Sequence, residues 1–154
     1  MTTKITGANV NTLSLGVVSG VIQTTLAAAL EKVTISATAA TGTINYDLST
    51  QSILYYTSNA SANWTVNIRG DGSTTLNSMM STGQSVTMTF LVTQGATAYY
   101  NSAVTIDGTS VTPKWFGGSA PTSGNASGVD VYTYTVIKTG SAAFTVFASQ
   151  ARFA

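Results

Sequence analysis

The chain has 154 residues, no cysteine and no histidine, and six cations against five anions for a net charge of +1. These counts exclude disulfides, thiolate chemistry and histidine-based acid–base or zinc catalysis, and charges scattered singly leave no basic cluster for nucleic acid. The length suits one domain with its own core. With 28 Thr and 18 Ser beside 14 Gly, the composition is that of β-sheet rather than disorder. A charge-poor, threonine-rich surface suits a protein that lives assembled with copies of itself or with other subunits.

Residues 1–32 are read as an N-terminal attachment or oligomerisation arm. The run "LSLGVVSGVIQTTLAAAL" (13–30) is apolar and uncharged. Ser14, Gly16, Ser19, Gly20, Gln23, Thr24 and Thr25 interrupt it, which argues against a transmembrane helix. Lys4 stands too far ahead of Leu13 for a secretory signal. The preferred reading is an arm covered by another subunit, with Val17, Val18, Val21, Ile22, Leu26 and Leu30 as attachment residues. Val18, Ile22, Leu26 and Leu30 fall at helical spacing, and an extended strand suits the segment nearly as well.

From residue 33 onward the pattern alternates with period two. Strands are predicted over 33–38, 44–48, 53–57, 62–68, 85–92, 97–100, 103–106, 110–113, 129–138 and 141–149, with a hairpin through Thr139-Gly140. In 62–68, Trp64, Val66 and Ile68 share the core face; in 85–92, Val86, Met88, Phe90 and Val92 do. One short helix is predicted near 74–81, capped by Ser73 and ended by Gly83. The fold class is all-β: an antiparallel β-sandwich, jelly-roll-like, over residues 33–154.

Little here carries chemistry. Asp71 and Asp107 sit in Gly-containing turns, where Asp bonds its own backbone. Asp47 and Asp130 are read as partners for Arg69 or Lys138 rather than as a glycosidase pair. The "DGS" and "DGTS" stretches lack the further acids of a calcium loop, and Gly70-Asp71-Gly72 and Gly117-Gly118 lack the ending of a phosphate loop. No catalytic residue, metal or cofactor is expected. The aromatics remain: in the adjacent pairs Tyr55-Tyr56 and Tyr99-Tyr100, strand geometry turns one ring inward and one outward. Tyr56, Tyr99, Tyr100, Trp115 and Phe116 are the candidates for a subunit interface or for stacking on a host-surface glycan, the interface or core being favoured. Gly117-Gly118 would let the chain turn so that Trp115 and Phe116 fold back as plugs.

Three stretches, "NIRGDGSTTLNSMM", "VTPKWFGGSAP" and "FTVFASQARFA", resemble a C-terminal β-rich module of tail-fibre-like and other virion structural proteins of marine cyanobacterial bacteriophages. The resemblance covers about residues 43–154. It implies a virion protein, a structural rather than enzymatic role, and no catalytic residues. With only a short arm before the module, a compact tail-fibre, baseplate or capsid-decoration appendage is expected instead of a long fibre. Its expected partners are copies of itself, as a homotrimer, and other virion proteins, with a host glycan in the alternative reading, but neither nucleic acid nor membrane.

Overall fold

Threonine, valine, isoleucine and tyrosine favour extended backbone and pack well on a pleated surface. In the computed structural model, which describes residues 30–154, they build ten strands in two sheets. The elements are β1 (Val33–Ala39), β2 (Gly42–Asp47), β3 (Ile53–Ser58), β4 (Trp64–Arg69), α1 (Leu76–Met79), β5 (Ser85–Thr93), β6 (Asn101–Ile106), β7 (Thr109–Val111), β8 (Lys114–Trp115), β9 (Val129–Gly140) and β10 (Ala143–Phe153). The larger sheet runs β1-β3-β5-β9-β10-β8 and the smaller β2-β4-β6-β7. The expected all-β sandwich is therefore present. Of the attachment residues, Val17, Val18, Val21, Ile22 and Leu26 lie outside the described residues, and Leu30 is 99% exposed.

The pairing corrects the expectation of an antiparallel, jelly-roll-like sandwich. The first six strands alternate between the sheets, and each pairs in parallel with the strand two places on: β1 with β3, β3 with β5, β2 with β4, β4 with β6. The chain thus winds as a parallel roll. Only afterwards do antiparallel ladders join β6 to β7, β5 to β9 and β9 to β10, with β8 parallel to β10 at the edge. The physical reason is in the corners. Ala40-Thr41 between β1 and β2 has the length of a hairpin turn, but Ala40 is buried and Gly42 takes φ +58°, so the chain crosses to the other sheet.

Trp64 on β4 fills the centre of the core, edge-on to Phe90 of β5 at 6.2 Å and to Tyr132 of β9 at 5.7 Å. Tyr132 stacks on Tyr134 at 6.4 Å, and Trp115 meets Tyr134 edge-on at 6.4 Å. Buried tyrosine hydroxyls need partners. Tyr134 Oη donates to Asn101 Oδ1 at 3.2 Å, and Tyr132 Oη accepts from the Asn101 amide and from Gln150 Nε2. Burial pushes both hydroxyls well above their ordinary pKa, so they stay protonated.

Three local expectations change. Thr75, not Ser73, caps α1, its hydroxyl accepting from the Ser78 amide, and the helix is only Leu76–Met79. Ser73 and Thr74 are held instead by the Asp71 carboxylate, at 2.7 and 2.8 Å. No strand forms over 97–100, because the Gln94 side chain takes both the Tyr99 amide and carbonyl and removes them from any ladder. The β9–β10 hairpin turns at Ser141-Ala142, with Ala142 at φ +49°, while Thr139-Gly140 close β9.

The three motif stretches become architecture. In the first, Asn67 Nδ2 bonds Asn45 Oδ1 at 2.8 Å and Arg69 pairs with Asp47 at 2.6 Å, tying β4 to β2. At its end, the Asn77 and Met80 carbonyls receive Lys138 Nζ from β9. The second supplies β8 and the turn after it; the third is most of β10.

Candidate functional site

Period-two alternation sends one set of side chains to the core and the other outward. On the smaller sheet the outward set is polar and bonded within itself. Thr105 Oγ1 donates to Asn67 Oδ1, Asn67 to Asn45, and Arg69 to Asp47. The larger sheet is different. Its register places Ile35, Tyr55, Leu91, Val131 and Ala151 side by side across five strands, an unbroken apolar row. Next to it run Val33, Ile53, Thr89, Thr133 and Ser149, and beyond these Thr87, Thr135 and Phe147, with Lys114 at the β8 edge. Lys114 is the one charged side chain these rows carry.

At that edge lies a groove of about 390 Å³. Phe116 is 88% exposed and Phe147 46% exposed, with Lys114 Nζ 5.7 Å above the Phe147 ring, and Trp115, Thr133, Thr135, Ala148 and Ser149 complete the lining. The two members of the Trp115-Phe116 pair part company. Trp115 continues the extended strand and turns its indole towards Tyr134, half-buried. Phe116 stands out from the turn that Gly117 (φ +75°) and Gly118 (φ +81°) make, conformations that a side chain would strain. The expectation that both rings fold back therefore holds for Trp115 and is corrected for Phe116.

The other candidates do not converge on this groove. Tyr56 turns inward and meets Phe90 edge-on at 5.2 Å, while Tyr55 takes the outward position, as alternation requires. Tyr99 and Tyr100 are half-buried in the loop before β6 rather than on a strand. Leu91, Val131, Phe147 and Lys114 were not singled out in the sequence. The signal was present in "TFLVT" and "VDVYT", where apolar residues occupy both faces of strands whose outward side should be polar.

The acidic residues are committed to structure. Asp107, at φ +51° in the β6–β7 turn, accepts the Leu76 and Asn77 amides and so closes the start of α1. Asp71 is held below the usual carboxylate range by the Ser73 and Thr74 amides. The two share a polar cleft of about 290 Å³ with Arg69. Glycoside hydrolysis needs one of two carboxyls kept protonated; the environment of Asp71 works in the opposite sense. Among the described residues no cluster of acids could hold a metal ion, and no helix is long and apolar enough to cross a membrane.

Asp130, fully buried, does not pair with Lys138. It accepts from Gln94 Nε2 at 3.0 Å and from the Asn125 amide at 3.1 Å, joining the loop after β5 to the crossover before β9. Burial pushes its carboxyl above the ordinary 3.8. The folded state therefore holds this proton more tightly than the unfolded chain does. The group's contribution to stability is greatest below pH 3.8 and falls as pH rises through the folded value. Measured against Asp130→Asn, which does not titrate, the wild-type unfolding free energy is expected to decline as the pH is raised above about 4 in urea titrations. A difference that does not vary with pH would contradict this.

No family model, curated protein or solved structure matches the chain.

Proposed function

We propose that the protein is a structural component of a bacteriophage virion: a compact β-rich appendage of tail-fibre, baseplate or decoration type. It assembles as a homotrimer through its β-module and attaches to other virion proteins through residues 1–32. The observation that carries this reading is the outward face of the larger sheet, crossed by an unbroken apolar row and otherwise mostly neutral hydroxyl side chains. The smaller sheet of the same molecule shows what a solvated face looks like here. The resemblance of three sequence stretches to virion modules supports the same reading, and the motif residues act as structural ties. The role involves no catalytic step. Recognition of host glycans by exposed aromatics, the alternative, is left chiefly with Phe116 and Phe147, since Trp115 and Tyr56 turn inward.

Deleting residues 2–30 is expected to leave a folded sandwich that no longer joins particles. Circular dichroism checks the fold, and blotting of purified particles checks incorporation. Normal incorporation of the truncated protein would remove the arm from the proposal.

A further inference from the structure

We infer that the outward face of the larger sheet is a homomeric interface, occupied by the same face of further copies of this chain; the inference rests on the virion reading above and names the surface that reading uses.

Charge selects the occupant. A partner with a charged face would strand its charges against the Ile35–Ala151 row, where the sheet offers no counter-charge before Lys114 at the edge. A neutral face that alternates apolar and hydroxyl rows suits a copy of itself, which brings the same chemistry. Area agrees. Five long strands about 4.8 Å apart, each some 20–35 Å long, give roughly 500–800 Å² of face, close to the ~800 Å² that one partner contributes to a stable interface. Two or more such faces packed together repeat the sheet-on-sheet contact the molecule already makes inside. Three copies would turn their faces towards a shared axis. The groove at Phe147 lies at the rim, where an aromatic from a neighbour can seat.

The test uses the full chain and measures mass in solution by light scattering. The wild type is expected to be an oligomer, and Leu91→Lys or Thr133→Lys is expected to be monomeric with an unchanged circular dichroism spectrum. Because the chain has no cysteine, Thr133→Cys offers a second readout that needs no charge in the sheet. Its alkylation by maleimide is expected to be at least tenfold slower than that of Thr43→Cys on the smaller sheet. A monomeric wild type would overturn the inference. So would lysine variants that remain oligomeric, or equal alkylation at the two positions. Those outcomes would also remove the homotrimer from the proposed function but not membership of the virion; that membership fails separately, if purified particles lack the protein.

Discussion

Trp64→Ala is expected to cost about 3–5 kcal/mol, the largest loss from any single truncation in this core. Trp64 is 1% exposed and touches both sheets, meeting Phe90 and Tyr132 edge-on. Its removal takes away the transfer free energy of the largest side chain and leaves a hole that rigid neighbours on two sheets cannot close. A domain of this size is stable by about 5–15 kcal/mol, so the variant is expected to sit near the limit of folding. Urea titration with fluorescence from the remaining Trp115 measures it. A loss below about 1 kcal/mol would mean that Trp64 does not bridge the sheets.

Gly124→Ala is expected to be nearly as damaging, by about 3 kcal/mol or more, although it adds only a methyl group. An added Cβ would stand 2.5 Å from Asp130 Oδ2 and 2.9 Å from Gln94 Nε2, and the Tyr99 carbonyl oxygen lies closer still. All three obstacles belong to one network: Gln94 Nε2 donates to the Tyr99 carbonyl and to Asp130, and Asp130 accepts from the Asn125 amide. The methyl group can be accommodated only by parting these bonds, which leaves buried polar groups without partners. Gly117 is the contrast: nothing lies within 4 Å of its added Cβ, and the cost there is its positive φ alone. Thermal melts of the two variants separate the cases. If Gly124→Ala melts with the wild type, the loop is looser than these distances allow.

Much of the sandwich was legible because its strands announce themselves by alternation. Trp64, Val66 and Ile68 on β4, and Met88, Phe90 and Val92 on β5, take the core positions that period two assigns them. Direction was not legible. Parallel sheets usually have both faces covered and read as continuous apolar runs. Here β2 and β4 carry a polar face, Thr43 and Asn45 exposed, Thr65 half-buried and Asn67 covered by its hydrogen-bonded neighbours, so they alternate as antiparallel strands do. The helix was overextended because Asp71 takes the amides of Ser73 and Thr74, a contact that spacing alone does not rank above a serine cap. The strand at 97–100 failed for the same kind of reason, a long side chain standing in for a backbone partner.

The candidate site was legible only in part. That Tyr55 and Tyr56 divide between the two faces follows from alternation within one strand. The row through Leu91 and Val131 does not, because it depends on the register of five strands from four separate parts of the chain, β9 and β10 alone being neighbours in sequence. Trp115 was correctly placed against the core, whereas Phe116 follows it by one residue into the opposite environment. Trp115 ends the strand and Phe116 opens the turn, where Gly117 and Gly118 fix how the second ring stands.

The central claim is that this chain is a structural part of a particle, and counting it there tests that claim most directly. Quantitative mass spectrometry of gradient-purified virions is expected to find the protein at a fixed copy number in simple ratio to a tail or capsid protein, in multiples of three. Abundant protein in the infected-cell lysate, with none in the purified particles, would contradict it.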